Sequence, residues 1–577
     1  MKETLLLGRT FFRRFFETDL MPPGLAQVQL VIGAMTFLAA PSFLMPFNFA
    51  TRYAQMGKNV EAIARAMVLH RLLFITFTMT ALGLVALVVW EGVFPDRRDA
   101  RILGSLPLRS RTLIAARLGA LGALAGLFIV GTNAVPTLVY GPVLSGFGGA
   151  LTPIHGMAAH FLATTAAGAF VFFGLIALQG LLLNVTGRRM AERLSVVLQV
   201  VFVVALLQMV FFFPRVLPLV GRDLSALTAH PIMGYVPSVW FLALYDVLCG
   251  RPSPASGGPA ALAAALTITV TIAACVLFLT THGRLMKRAL ETRDTAGHTN
   301  RFIAAASWWV NTRLIRNSTK RAVLHFTLKT LTRSRTHRML VALHAGIALA
   351  LVLSGFIPLV MRSGLAGLTA PTVPLLSAPF VVIFFCLVGM RSAFAIPAEP
   401  KANWMVRLLE PPDRSAALNG AAASMLLAVV VPVTVLAAIS SLFLFDPWQA
   451  FVHATFCLLL GWLLAELLVL TLFKIPFTCT YYPGLSKMRT FWPLYLTAFT
   501  NFCYTTPLVE QKAFSNGAVF AWTAGVGLLA IAATRFARSR RIKALPGLRF
   551  EEQDPEVMFQ GFKLSEGLAA TVGTRPN

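Results

Sequence analysis

AAHFLATTAAGAFVFFGLIALQGLLLNV, residues 158–185, runs for 28 positions without one Asp, Glu, Lys or Arg. At about 1.5 Å of rise per helical residue, roughly 20 such residues cross a hydrocarbon core about 30 Å thick. The stretch is continuous in its apolar character and does not alternate, which excludes a half-buried strand. In lipid, only a helix or a closed barrel satisfies every backbone group. This segment is therefore read as a spanning helix. Working outward, eleven further runs of the same kind lie at about 28–50, 72–93, 114–140, 195–219, 260–282, 339–361, 376–396, 420–445, 449–473, 490–508 and 517–534. The expected fold is an all-α polytopic membrane helix bundle of about twelve spanning helices, arranged as two six-helix halves.

Composition agrees. Of 577 residues, 57% are hydrophobic and 13% charged, against about 25% charged in soluble domains. The net charge of +27 would suggest a nucleic-acid partner in a soluble protein. Here it follows from the excess of Lys and Arg on the inner side of membrane proteins, and nucleic acid is not expected. Cys249, Cys275, Cys386, Cys457, Cys479 and Cys503 have no CxxC spacing, so neither a zinc site nor a disulfide framework is indicated. The start, MKETLLLGRTFFRRFF, has charges inside its apolar stretch and is not expected to act as a cleavable signal peptide.

With both termini on the cytoplasmic side, most of the 50 Lys and Arg residues fall inside, as the positive-inside rule requires. One segment disagrees. Residues 51–71 should be outside yet carry Arg52, Lys58, Arg65 and Arg71. Either a helix extends past the membrane there, or the first span is misplaced. On the outer side, 141–157 is uncharged and Gly-rich. The longer insertion 220–259 contains PSVWFLALYDVL (Pro237 to Leu248), too short to span. That segment reads equally as an interfacial helix or as a packed cap over the bundle.

The two halves share an order of features. A basic amphipathic segment, LLLGRTFFRRFF (Leu5 to Phe16) or LHFTLKTLTRSR (Leu324 to Arg335), precedes two spans. A polar segment follows: FPDRRDARILGSLPLRSRTLIAARL (Phe94 to Leu118) or IPAEPKANWMVRLLEPPDRSAALNG (Ile396 to Gly420). Each polar segment opens on a proline, Pro95 or Pro397, and turns at Pro107 or at Pro411 and Pro412 before re-entering the membrane. An even number of spans per half keeps both halves in one orientation. The resulting division is an interfacial segment 1–26 and a first half 27–283 with its polar segment at 94–113. A basic linker 284–338, a second half 339–535 with its polar segment at 397–418, and a cytoplasmic tail 536–577 complete it.

LPLRSRTLIAARL (Leu106 to Leu118), after two spans and a proline, resembles the cytoplasmic loop of the permease subunits of type-2 exporter-class ABC transporters. The basic segment before the first span and the insertion at 220–259 are also similar to that class. Family half-transporters commonly have six spans, whereas this chain fuses two sets, and EPPDRSAAL (Glu410 to Leu418) departs further from the pattern. The resemblance implies a coupling helix that docks on a separate ABC ATPase in a bacterial inner membrane. It implies ATP and Mg on that partner and a small-molecule or lipid-like cargo. Asp96, Arg97, Arg98, Asp99, Arg101, Arg109 and Arg111 are then candidate ATPase contacts, with Glu399, Lys401, Arg407, Glu410, Asp413 and Arg414 in the second half. The bland alternative is that these charges obey the inside rule and touch phospholipid. No GxxxxGK[ST] loop occurs, so the chain is expected to hydrolyse no ATP itself.

Glu466, inside the tenth run, is a candidate for the translocation path, because an intramembrane carboxylate is costly. The alternative is a structural bond to another helix, from His160, His344 or a Thr. Arg391 and Glu91 read as interfacial, and His325 and His337 as solvated. Asp223, His230 and Asp246 carry no signal in their spacing. Two other functions compete. A major-facilitator-type transporter would also have six plus six spans, but GVFPDR (Gly92 to Arg97) matches only the first part of its GxxxDRxGRR loop. A membrane enzyme would need a paired nucleophile and base, and none stands out in the sequence.

Overall fold

The computed structural model describes residues 2–15, 41–49, 51–213 apart from 54, 58, 96 and 148–150, then 227, 233–291, 317–398, 405, 408, 414–478 apart from 473, and 488–544. Among them every regular element is helical. Ten helices among the described residues are long and apolar enough to cross a membrane. Most of the first expected span, 28–50, lies outside the described residues, as do the first part of the insertion, the middle of the linker and the tail beyond 544. The eleventh, 490–508, proves segmented: helices Met488–Thr500 and Thr506–Ser515 flank a π turn at Asn501–Thr505. A second π turn, Leu426–Val430, interrupts the span that begins at Arg414. Both turns end two positions before a proline, Pro507 and Pro432. Proline has no N–H and its ring clashes with the carbonyl four residues back, so the ladder widens there.

The chain divides into two compact units, Met1–His298 with Leu349–Ile357, and Thr299–Ala348 with Pro358–Asn577. In the first unit the helices are α1 (Lys2–Arg14), α2 (Val60–Val88), α3 (Trp90–Val93), α4 (Arg97–Gly104), α5 (Ser110–Phe147), α6 (Pro153–Val185), α7 (Gly187–Phe211), α8 (Pro237–Leu248) and α9 (Gly257–Glu291). The opening stretch of the sequence is α6, and it is the hub: α2, α5, α7, α8 and α9 all pack on it. Its small residues make that possible. A Cβ added at Gly168 would sit 3.2 Å from Leu82 and Thr78 of α2. Nearby, one at Gly83 would meet Val171 of α6 at 2.9 Å and Leu206 of α7 at 2.6 Å.

α2 begins at Val60, where the Asn59 side chain accepts from the Ala62 N–H at 3.1 Å. Residues 60–71 thus continue the spanning helix, which accounts for half of the discordant basic stretch. α8 is a packed cap: Phe241, Leu242, Ala243 and Tyr245 are fully buried against α2, α6 and α9.

In the second unit α10 (Ser318–Arg333) and α11 (Arg335–Ser363, whose residues Leu349–Ile357 belong to the first unit) precede α12 (Val373–Phe394). α13 (Arg414–Met425) runs through the π turn into α14 (Val431–Leu444). α15 (Pro447–Leu470), α16 (Met488–Thr500), α17 (Thr506–Ser515) and α18 (Gly517–Lys543) follow. α15 is the hub here, packed by α12, α14, α17 and α18. α10 lies along α13 at Gly420, where a Cβ would fall 2.6 Å from the Lys320 carbonyl oxygen. Backbone on one side leaves nothing soft to yield. Gly420→Ala is therefore expected to cost about 1–3 kcal/mol, read as a lower midpoint of thermal unfolding in detergent.

Candidate functional site

The polar segment after α2 is built as a joint. α2 ends at Val88, α3 adds one turn, and Phe94 takes an extended backbone (φ −99°, ψ 150°) ahead of Pro95. α4 then forms from Arg97, and the chain turns through Pro107 into α5. The root of this segment is fastened from three sides. Gln179 of α6 donates to the Trp90 carbonyl at 2.7 Å. Phe94 stacks on Phe278 of α9 with centroids 5.3 Å apart. Arg117 of α5 donates to the Gly92 carbonyl at 2.8 Å.

Asp99 is the pin. Its carboxylate is 3% exposed and accepts from Arg117 at 3.0 Å and from Arg14 of α1. The Arg117 guanidinium also lies over the Phe11 ring, 5.3 Å from its centroid. Phe11 in turn is buried with Leu113, Ala116 and Ala120 of α5. One carboxylate therefore locks α1, α4 and α5 together. Burial pushes the Asp99 carboxyl up, but the charges and hydrogen bonds of Arg117 and Arg14 outweigh it and hold it below the ordinary aspartate range.

Outside the joint, Ile102 and Leu106 are exposed apolar side chains, and Arg109 and Arg111 are exposed beside them. Arg97, Arg98 and Arg101 lie on α4 by backbone, while their side chains and Asp96 lie outside the described residues. In the second unit, Glu399, Lys401, Arg407, Glu410 and Asp413 also lie outside them, and Arg414 is half-buried at the start of α13. The root of that second segment is described. Phe477, in the left-handed region at φ 65°, bonds through its N–H to the Phe394 carbonyl at 3.1 Å and accepts from the Ala398 N–H at 2.9 Å. That is a strained position for an aromatic residue. The Phe326, His337 and Phe394 rings surround Phe477 and hold it there.

Glu466 is 2% exposed and paired with Arg538 of α18, with Arg535 Nε 3.5 Å away. Trp462 donates to the carboxylate at 3.2 Å, and Arg538 also bonds Asn419 of α13. The carboxylate thus ties α15, α18 and α13 together, through partners other than His160, His344 or a Thr. Arg391 does more than reach for headgroups: its Nε donates to the Leu468 carbonyl at 3.0 Å, near the end of α15. His337 is not solvated. It is 2% exposed, bonded to Ser334 Oγ at 2.6 Å and to the Ile396 carbonyl at 2.9 Å. The side chain of Glu91, together with Asp223 and His230, lies outside the described residues.

Two polar clusters went unread in the sequence. Beneath the α8 cap, Arg71 donates to Asp246 at 2.5 Å and lies over the Tyr245 ring. Tyr245 OH meets His160 Nδ1 at 2.8 Å, and Tyr53 OH bonds both His70 and, at 3.3 Å, Tyr140. In the second unit, His453 Nδ1 lies 2.6 Å from Glu510 Oε1, and Cys457 Sγ lies 3.9 Å from His453 Nε2. His453 and Cys457 are four apart on α15, a spacing visible in the sequence. Glu510 arrives from another segment and was not. All three are buried, so the thiol is closed to substrate. Among the described residues no group of three His, Cys, Asp or Glu side chains could hold a metal ion. No protein-family model, curated protein or solved structure matches the chain.

Proposed function

We propose that the chain is the membrane-spanning permease subunit of an ATP-driven exporter, coupled through α4 to a separate ABC ATPase that binds ATP and Mg. The observation that carries this reading is the Asp99 joint. It makes α1, α4 and the start of α5 one stiff piece, with Ile102, Leu106, Arg109 and Arg111 facing outward from it. A soluble motor can push only on a part that does not flex, and exposed apolar side chains rimmed by arginine are the composition of a protein contact. The second unit supports a duplicated design: α10 lies along α13 as α1 lies along α5, each a basic helix on the span that follows the polar segment. In this reading the ATPases draw the levers together on binding ATP, and the spanning helices shift between two packings that open a path to opposite sides. Glu466, engaged by Arg538, serves as a strut between helices rather than as a contact for cargo.

Affinity purification of the full chain from its native host is expected to bring down a soluble ATPase in stoichiometric amount. Replacing Arg97, Arg98 and Arg101 together by Glu is expected to reduce that ATPase at least about tenfold while the protein still inserts, since like-charge juxtaposition at an interface costs several kcal/mol. Wild-type protein that brings down no ATPase, or a triple variant that brings down as much, overturns the reading.

A further inference from the structure

An open groove of about 850 Å³ runs between α1 and α5. Its floor is apolar and shallow. Gly119, Ala123 and Gly126 line it, and a Cβ built at Gly119 or Gly126 meets nothing within 4 Å among the described residues. The groove follows α5 from Ala115 to Val130, fifteen helical steps or about 22 Å. That exceeds the hydrocarbon depth of one leaflet, about 15 Å or half of the bilayer core.

The α1 wall adds the second feature. Arg9 and Arg13 line the groove one helical turn apart, and both are exposed. Neither makes an ion pair among the described residues, whereas Arg14, their neighbour, is spent on Asp99. Two adjacent guanidinia can take a phosphate in a forked geometry. A long apolar trough beside two exposed cations fits a ligand with an anionic head and a hydrocarbon chain lying along α5.

We propose that this groove is a binding site for one anionic phospholipid, its phosphate held by Arg9 and Arg13 and an acyl chain lying over Gly119, Ala123 and Gly126. The lipid fills the gap on the flank of α1 that Phe11 leaves open, so α1 is braced by protein on one side and by lipid on the other. The site rests on the chain's membrane residence alone and stands whether or not an ATPase partner is found.

The test uses the full chain, delipidated and placed in nanodiscs of phosphatidylcholine and phosphatidylglycerol. Each lipid in turn carries a diazirine on its acyl chain, and the cross-links are mapped by mass spectrometry. In the wild-type protein, phosphatidylglycerol is expected to label residues 115–130 at least about fivefold more than phosphatidylcholine does, because each arginine near the surface attracts anionic lipid. Arg9→Gln with Arg13→Gln is expected to erase that preference and keep labelling of the trough by either lipid. Ala123→Leu with Gly126→Leu fills the trough and is expected to remove labelling there for both lipids. Should a variant lose its fold, competition on the wild-type protein decides: unlabelled phosphatidylglycerol displaces the probe and phosphatidylcholine does not. Equal labelling by both lipids, labelling spread evenly over all lipid-facing helices, or competition by both lipids alike overturns the proposal.

Discussion

Asp99→Asn is expected to free α1 from the lever and to destabilise the first unit by about 3 kcal/mol, within the range for removing one partner of a buried pair. The two arms of the pin are unequal. Arg14 is 42% exposed, so its pairing is screened and contributes less than about 1 kcal/mol. Arg117 is 5% exposed, and asparagine keeps its guanidinium buried while removing the carboxylate charge opposite it. The loss comes mainly from that buried arm. Hydrogen exchange is the direct readout: amides of residues 2–14 and 97–104 are expected to exchange faster in Asp99→Asn, while those of α6 hold. Arg14→Gln is expected to accelerate residues 2–14 only. The pH dependence follows from the sign of the shift. The Asp99 carboxyl is held below its ordinary value, so its stabilisation is complete above about pH 4. It is lost as the pH falls through the lower folded value. Exchange in α1 should therefore be steady through neutral pH and rise only under acid, and the asparagine variant should lack that acid step. Wild-type exchange rates in the asparagine variant would remove the joint from the account.

The same pin shows how far the sequence could be read. Spanning helices were legible because lipid imposes one rule on every residue of a run: AAHFLATTAAGAFVFFGLIALQGLLLNV admits no other reading, and it is α6. The lever was legible as a segment, since Pro95 and Pro107 bracket it, and Asp99 and Arg101 were marked as charged residues in it. Their roles were not legible. Asp99 faces inward because α4 turns one side to Arg14 of α1 and Arg117 of α5, and helical phase in an eight-residue piece is set by its neighbours. Arg538 falls within the expected cytoplasmic tail 536–577, yet α18 carries it back toward Glu466. A carboxylate in a run of apolar residues announces that a partner exists. It does not say which of 50 Lys and Arg residues that partner is.

Arg71 makes the point most sharply, and it carries the second large effect. As one of four cations in a stretch meant to lie outside, it counted against the expected orientation. In the structure it is 7% exposed and paired with Asp246, itself 6% exposed, 175 positions along the chain. Its charge is neutralised within the protein, so the positive-inside rule never governed it. Breaking the pair from either side leaves one ion buried under α8 without the opposite charge beside it. Asp246→Leu and Arg71→Met are each expected to cost about 3–5 kcal/mol. The double variant should recover most of that loss, because two apolar side chains of similar size need neither solvation nor each other. The cap has the surroundings to accept them: Phe241, Leu242 and Tyr245 are already fully buried beside the pair. Thermal unfolding of the three variants in one detergent gives the coupling energy directly. A double variant as unstable as the sum of the singles would mean that the two ions act separately. The network that continues through Tyr245 to His160 would then be the element that holds the cap in place.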